Sequence, residues 1–179
     1  FGKTPYKNVV VNGTILAEDG QKMSKSLNNY PPVDFIFDKY GADAMRYYLL
    51  SSPVVHGEDF SFSEKGVDEV VKKLLLRLSN VHSFYEMYPG DSQKGRSDRN
   101  ILDKWIISRL AELRNSITKS MEEYLLDSAT RPLLDFVDDL STWYIRRSRE
   151  RFKGDDLTDK ADAKVTTQFV LKELSKLLA

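Results

Sequence analysis

The sequence contains no cysteine and only two histidines, and these absences limit the chemistry that the chain can perform. Without cysteine it forms neither a disulfide nor a thiolate metal site. His56 and His82 have no recognisable nucleophile or metal partner nearby in sequence, so we interpret both as structural or solvent-exposed residues. The acidic pairs Asp138-Asp139 and Asp155-Asp156 lack the ligand spacing of a calcium loop. We therefore predict no metal site.

Excess charge and long apolar runs are also missing. Lysine and arginine together number 27, as do aspartate and glutamate, so the net charge is zero. Any RNA site must therefore be a local basic patch. The sequence has no apolar run of about 18 residues and no signal-peptide pattern at its start. We expect a soluble, cytoplasmic monomer without membrane contact, large enough at 179 residues for one domain plus a smaller attachment.

The densest group of functional side chains is Lys22-Met23-Ser24-Lys25-Ser26, which we call the lysine–serine loop. Its two ammonium groups act as point charges on phosphate oxygens, and its hydroxyls and backbone amides add hydrogen-bond donors. Met23 is the only apolar residue, and we predict that it holds the loop against the adjacent core. The pattern is typical of a polyphosphate site, but a solvated loop has the same composition.

The segment before the loop has the pattern of a β-hairpin. Two apolar, β-branched runs in Lys7–Ala17 flank Asn12-Gly13, a strong signal for a two-residue type I′ turn. We predict that these strands lead into the loop through a second turn at Asp19-Gly20. Later in the chain, the alternation in Asp59–Phe62 predicts a short extended connector.

Two short helices are predicted after the loop. The first runs from about Pro32 to Tyr40, because proline is favoured at the first helical position, and Gly41 ends it. The second runs from about Ala42 to Leu50, with Asp43 near the positive end of its helix dipole.

From Ser63 onward, apolar residues recur every three or four positions, which is typical of amphipathic helices. Turn-forming residues between Tyr88 and Asn100 indicate a linker. Helices with short connections bury their apolar faces by forming an antiparallel bundle. The predicted fold is therefore mainly α, with a small α/β piece in residues 1–60 and a helical domain in residues 61–179. The four predicted helices cover approximately residues 63–87, 101–123, 128–152 and 160 to the end.

Several motifs resemble those of class I aminoacyl-tRNA synthetases. The lysine–serine loop is identical to the signature loop of that class. The segment Gly41-Ala42-Asp43-Ala44-Met45-Arg46 follows where the family has a Gly-Ala-Asp-Ala-Leu-Arg-like segment. Leu102–Leu110 and Trp143–Arg149 resemble the isoleucyl branch of the class, so the resemblance spans nearly the whole chain.

The resemblance implies a ligase that activates isoleucine with ATP and Mg²⁺ and transfers it to its tRNA. Lys22 and Lys25 would then be catalytic, stabilising charge on the departing pyrophosphate, and the lysine–serine loop would bind ATP. Residues 1–60 would end a Rossmann-like catalytic domain, and residues 61–179 would form an anticodon-binding domain cut near its C-terminus. The family's His-x-Gly-His segment, amino-acid pocket and editing domain are absent from this sequence. We therefore expect the chain alone to be inactive and to hold no ATP tightly.

The resemblance also implies a tRNA contact, for which the best residues are Trp143, Arg146, Arg147 and Arg151. Helical spacing places Trp143, Arg147 and Arg151 along one stripe, where a ring and two guanidinium groups suit a phosphate backbone or an unstacked base. In the alternative interpretation, Arg146 pairs with Glu150 on a solvated helix face and Trp143 belongs to the core.

Two other assignments remain open. The chain can belong to a valyl or leucyl enzyme, which shares the loop, since the amino-acid pocket lies outside this sequence. It can also be a non-catalytic tRNA-binding module that retains the loop. The intact pentapeptide favours an enzyme, because a relic has no reason to keep both lysines.

Overall fold

The computed structural model describes residues 2–88 and 96–179, so most of the predicted linker lies outside the described residues. The chain divides into two compact units, Phe1–Val70 with Ser120–Thr130, and Val71–Lys119 with Arg131–Ala179. The described residues are mostly helical, as the sequence predicts. In chain order the elements are β1 (Ile15–Leu16), α1 (Val33–Tyr40), α2 (Ala42–Leu50), a 3₁₀ turn (Pro53–His56), β2 (Phe60–Ser61), α3 (Glu64–Val70), a π-helical turn (Val71–Leu75), α4 (Leu76–Glu86), α5 (Ile101–Glu122), α6 (Leu126–Thr130), α7 (Pro132–Asp138), a second π-helical turn (Asp139–Ile145), α8 (Arg146–Lys153) and α9 (Leu157–Leu178).

The predicted hairpin at Asn12-Gly13 is wrong. Residues 2–14 contain no strand, and β1 pairs instead in parallel with β2, far along the chain. The amide of Gly13 donates a hydrogen bond of 2.7 Å to the carbonyl of Val54. A Cβ atom on Gly13 would overlap the backbone carbonyl of Glu58. Glycine is needed here because two backbone segments approach closely, not because of a tight turn.

The two short helices of the first unit confirm their predictions. Helix α1 ends at Gly41, which has a φ of 84° in a region that favours glycine, and α2 begins at the next residue. Ile36 on α1 and Ala44 and Tyr47 on α2 are buried in the unit. The hydroxyl of Tyr47 donates to the carbonyl of Thr130 at 3.1 Å, which ties α6 to α2.

The core of the second unit is aromatic at its centre. Tyr144 and Phe152 are fully buried, and Phe136 is only 1% exposed. The ring of Phe84 on α4 meets that of Phe152 edge-on, with centroids 5.0 Å apart. Several apolar positions predicted from helical periodicity are buried in this unit, namely Leu74, Val81, Ile106, Leu110, Val137, Leu140 and Leu174. Other predicted positions, Trp105, Phe169 and Leu171, are only partly buried.

The predicted helix over residues 128–152 is interrupted, in contrast to the prediction. Pro132, which has no amide donor, lies at the start of α7. The turn Asp139–Ile145 is π-helical, so its hydrogen bonds join residues five apart and rotate the side chains beyond it relative to an α-helix. Trp143 lies in this turn, whereas Arg147 and Arg151 lie beyond it on α8.

Helix α9 begins earlier than predicted because Asp156 caps it. Its carboxylate accepts hydrogen bonds from the amides of Thr158 at 2.9 Å and Asp159 at 3.1 Å. An aspartate at this position satisfies amides that have no partner within the helix. The helix therefore starts at Leu157 and not near residue 160.

Candidate functional site

The lysine–serine loop follows β1 and is held at its base by backbone hydrogen bonds. Leu16 and Lys22 form an antiparallel bridge. Between them, the amide of Ala17 donates to the carbonyl of Gln21 at 2.8 Å, and the amide of Gly20 donates to the carbonyl of Ala17 at 2.9 Å. Gly20 has a φ of 79°, a left-handed conformation that glycine adopts without strain. The predicted turn at Asp19-Gly20 is therefore present.

The interior of the loop is organised by the side chain of Asn29. Its Oδ1 atom accepts a hydrogen bond of 2.9 Å from the amide of Ser24, and its Nδ2 atom donates one of 3.2 Å to the carbonyl of Lys22. The hydroxyls of Ser24 and Ser26 lie 2.8 Å apart. Sequence reasoning missed Asn29, although asparagine side chains commonly bond to nearby backbone in turns.

The two lysines of the loop are exposed, and within residues 2–88 and 96–179 neither forms an ion pair. Between them, Met23 is partly buried and lines a cavity of about 80 Å³ together with Ala17 and Phe62. Met23 thus attaches the loop to the first unit, as predicted. The arrangement presents two positive charges and several hydrogen-bond donors to solvent from an attached backbone.

An acidic side chain close to the loop, Glu64, already has a positively charged partner. Glu64 also lines the cavity under Met23. Its Oε1 atom accepts hydrogen bonds from Lys39 Nζ at 2.7 Å and from the Tyr40 hydroxyl at 2.8 Å. The bond from Lys39, with that from Tyr40, lowers the pKa of Glu64. Glu64 is therefore committed to Lys39 and not to the loop.

The second candidate surface consists of Trp143, Arg146 and Arg147, and we call it the Trp143 surface. The Trp143 ring is 46% exposed, so it is not a core residue. The guanidinium carbon of Arg147 lies 3.7 Å from the centre of that ring, and the ring of Trp105 lies 6.4 Å away. Arg146 and Arg147 are exposed without an ion pair in the described part of the chain, and the alternative pairing of Arg146 with Glu150 is not formed.

Arg151 does not belong to this surface, contrary to the predicted stripe. Its side chain is only 9% exposed, and its two Nη atoms each donate a 2.8 Å hydrogen bond to the fully buried carboxylate of Asp103. Its Nε atom donates to Asp159 at 2.8 Å, and the Tyr144 hydroxyl donates to Asp103 at 2.7 Å. The guanidinium is committed to two carboxylates, so we exclude it from the RNA surface.

Burial and pairing determine the pKa values of Arg151, Tyr144 and Asp159, which lie around Asp103. Burial lowers the pKa of Arg151, but the hydrogen bonds to Asp103 and Asp159 outweigh it and raise the pKa. Burial also raises the pKa of the Tyr144 hydroxyl, with the charge of Asp103 adding to the effect. The pKa of Asp159 is lowered, mainly by its hydrogen bond from Arg151. The group therefore holds one ionised arginine and a neutral phenol at neutral pH.

The histidines have surroundings that fit structural roles. His56 Nε2 hydrogen-bonds to the buried Asp127 carboxylate within the first unit. His82 is exposed, 3.8 Å from Glu86 on the same helix. Within the described residues, no cluster of three or more histidine, aspartate or glutamate side chains could hold a metal ion. The described helices also include none long and apolar enough to cross a membrane.

Two protein families match different parts of the chain. The family described as tRNA synthetases class I (I, L, M and V) matches residues 1–61, which include the lysine–serine loop. The family described as the anticodon-binding domain of tRNA ligase matches residues 103–179, which include the Trp143 surface. The first match lies entirely within the first unit. The second match covers residues of the second unit and also the first unit's segment Ser120–Thr130.

Curated relatives are similar along the whole chain. The isoleucine–tRNA ligase of Chlamydia trachomatis serovar L2 is 49% identical over 185 residues, covering 100% of this chain and 18% of that protein. The same ligase of Chlamydia muridarum is 48% identical, and that of Chlamydia pneumoniae is 45% identical, with the same coverage of each chain. The chain thus spans about a fifth of the length of the relatives that it matches.

Solved structures have the same fold. Methionyl-tRNA synthetase of Mycobacterium tuberculosis, in complex with methionyl-adenylate, matches with a TM-score of 0.73 over 91% of this chain and 34% of that chain. The LeuRS-tRNA-LeuAMS ternary complex of Agrobacterium radiobacter K84 matches with a TM-score of 0.66 over 93% of this chain and 21% of that chain. Both are 18% identical to this chain, so they establish the fold alone. The chain is therefore similar to class I tRNA synthetases over residues 1–61, to the anticodon-binding domain of tRNA ligases over residues 103–179, and to isoleucine–tRNA ligases along its whole length.

Proposed function

We propose that the protein containing this chain activates isoleucine with ATP and Mg²⁺ and transfers it to the tRNA for isoleucine. The observation that carries the proposal is the pair of exposed, unpaired lysines on an anchored loop, in a chain 49% identical to an isoleucine–tRNA ligase. Residues 1–60 supply the ATP-side loop of the catalytic domain, and residues 61–179 supply the anticodon-binding domain. Because tRNA charging serves translation, we place the enzyme in the cytoplasm, as a monomer.

The lysines act on the leaving group of the activation step. In that step, the carboxylate oxygen of isoleucine forms a bond to the α-phosphorus of ATP, and the bond from this phosphorus to the bridging oxygen breaks. Negative charge accumulates on the departing pyrophosphate. Lys22 and Lys25 stabilise it, because positioned positive charge lowers the energy of such transition states. Ser24 and Ser26 add hydrogen-bond donors to the same phosphates.

The fit of this loop to ATP rests on its donor set. It offers two ammonium groups that form no ion pair within the described residues, which suits a highly anionic ligand. The described residues offer no group of ligands for Mg²⁺, so we assign the ion no ligand in this chain. When bound, Mg²⁺ supplies further positive charge on the phosphates. The contribution of this chain is therefore the charge of the lysines and their placement.

The Trp143 surface is the proposed tRNA contact of the second unit. A base that leaves its stack can lie on the exposed Trp143 ring, and base–aromatic stacking of this kind is sequence-tolerant. Arg147, held over the same ring, and Arg146 beside it bind the phosphates on either side of that base. The zero net charge of this chain requires such a local cluster, since the chain has no excess positive charge to attract RNA.

The activation proposal is tested by isoleucine-dependent exchange between ATP and labelled pyrophosphate in the intact protein. Lys25→Ala should lower kcat by about a hundredfold or more, since the charge acts only as the leaving group develops. Lys7→Ala is the control, because Lys7 is also exposed but lies outside the loop. Full exchange by Lys25→Ala would contradict the proposed role of the lysine, and absence of exchange in the parent protein would favour a non-catalytic module.

The RNA contact is tested by titrating the chain with the tRNAs for isoleucine and for valine at low and moderate salt. Trp143→Ala should weaken binding of the isoleucine tRNA by about tenfold, the loss expected for one stacked base. Arg149→Ala is the control on the same helix, because Arg149 is exposed and lies outside the Trp143 surface. Equal effects of the two substitutions would refute the surface. A preference for the valine tRNA would favour the valyl alternative.

A further inference from the structure

We propose that Asn29 is a positioning residue for the activation step, because its side chain fixes the backbone between Lys22 and Lys25. The inference deepens the proposed function and depends on it. We call the two hydrogen bonds that join the side-chain amide of Asn29 to the backbone of Lys22 and Ser24 the Asn29 bridge. Its role is to hold both lysines at one spacing before ATP arrives.

The geometry of the bridge carries the argument. The Asn29 Oδ1 atom accepts from the amide of Ser24 at 2.9 Å, while its Nδ2 atom donates to the carbonyl of Lys22 at 3.2 Å. These two backbone groups flank Met23, which lies against the cavity lined by Ala17 and Phe62. The segment Lys22–Ser24 is thus held from two sides, by an apolar contact and by a polar bridge.

The position of Asn29 itself is well defined. Asn28 has a φ of 47°, a left-handed conformation that turns the chain back toward the loop. After Tyr30, the prolines Pro31 and Pro32 restrict the backbone before α1 begins at Val33. The bridge therefore connects the loop to a stiff segment. This segment, and not only the loop residues themselves, restrains the loop.

An amide is the side chain that this position requires. It must accept one hydrogen bond and donate another at the same time, and asparagine has both an oxygen acceptor and a nitrogen donor on a short side chain. Alanine offers neither. Without the bridge, the peptide units around Met23 can rotate, and part of the favourable interaction with the pyrophosphate is then spent on ordering the loop.

The test is ATP–pyrophosphate exchange by the intact protein, comparing Asn29→Ala, Lys25→Ala and the matched control Asn28→Gly. Asn28→Gly keeps the bridge, and glycine accepts the positive φ of that position. We expect Asn29→Ala to lower kcat between about tenfold and a hundredfold with the KM for isoleucine unchanged. The thermal midpoint should match that of the control.

A second measurement reports on the loop without catalysis. Trypsin cleaves after lysine, so the rate of cleavage after Lys22 and Lys25, relative to that after the exposed Lys7, measures the mobility of the loop. Asn29→Ala should raise this ratio several-fold in the 179-residue chain, and Asn28→Gly should leave it unchanged.

The outcomes separate the bridge from the proposed function. If Lys25→Ala abolishes exchange while Asn29→Ala keeps full kcat, the bridge is refuted and the function of the loop stands. If Lys25→Ala exchanges normally, the proposed function fails, and the positioning role fails with it. A fall in kcat that is matched by a lower thermal midpoint, as destabilisation alone would give, also overturns the positioning role.

Discussion

Replacing Arg151 with alanine should destabilise the second unit strongly, because the substitution strands a buried charge. In the native structure, Asp103 is fully buried and accepts two hydrogen bonds of 2.8 Å from Arg151. Without the guanidinium, the Tyr144 hydroxyl at 2.7 Å is the one partner that the described residues leave on that carboxylate. Asp159 loses its arginine as well, but it lies partly in solvent and can be rehydrated.

The magnitude follows from the buried carboxylate. Removing one partner of a buried ion pair costs about 3–5 kcal/mol, because the remaining charge is left without compensation. For a chain of this size each kcal/mol lowers the thermal midpoint by about 2–4 °C, so the expected fall is about 6–20 °C. Arg149→Ala is the matched control on α8, and an exposed substitution of this kind should change the free energy of unfolding by less than about 0.5 kcal/mol.

The assay is urea unfolding of the chain, with the double variant Asp103→Asn, Arg151→Ala beside the two single variants. Removing the negative charge should restore at least half of the stability lost in Arg151→Ala, because a neutral amide at position 103 is less costly to bury than an unpaired carboxylate. The reasoning is refuted if Arg151→Ala unfolds like Arg149→Ala. It is also refuted if the losses in the free energy of unfolding of the two single variants, Asp103→Asn and Arg151→Ala, simply add up in the double variant.

Two further predictions concern other parts of the structure. Gly13→Ala should lower the free energy of unfolding of the first unit by about 1–3 kcal/mol, because its Cβ would overlap the Glu58 backbone. The measurement is urea unfolding against Lys7→Ala, an exposed substitution in the same segment, and equal stability of the two variants would contradict the close approach. The lowered pKa of Asp159 means that its pairing with Arg151 adds stability above the ordinary pKa of 3.8, and that this stability is lost as the pH falls through the lowered pKa. Asp159→Asn should therefore show a smaller loss of stability between pH 5 and about pH 2 than the parent chain when unfolding is measured across that range, and an unchanged pH profile would show that the pair contributes nothing.

Local signals in the sequence predicted the structure well. Gly41 and the apolar periodicity around it give the bounds of α2, and both depend on residues that are neighbours in the chain. The Asn12-Gly13 hairpin failed because its signal is also local, whereas the partner of β1 is β2, about 45 residues later. Phe60–Ser61 was predicted as extended, but a two-residue strand gives no sign of which segment it pairs with.

In the candidate site, too, features with a local sequence signal were predicted and contacts between distant residues were not. The lysine–serine loop is recognisable from five consecutive residues, and the exposure of its lysines agrees with the predicted role. Arg151 was placed wrongly on the exposed stripe because helical spacing does not show which part of a helix face is buried, and its partner Asp103 is 48 residues away in sequence. Asn29 was missed because an asparagine in a turn has many possible partners, and only the folded loop identifies Lys22 and Ser24.

The most direct test of the central claim is ATP–pyrophosphate exchange by the intact protein with isoleucine, valine or leucine as the only amino acid, in the parent protein and in Lys25→Ala. The proposed function predicts that isoleucine gives the highest kcat/KM and that Lys25→Ala loses about a hundredfold or more of kcat while the amino-acid preference stays the same. Preference for valine or leucine would contradict the assigned substrate. Exchange that is indifferent to Lys25 would contradict the role of the lysine–serine loop.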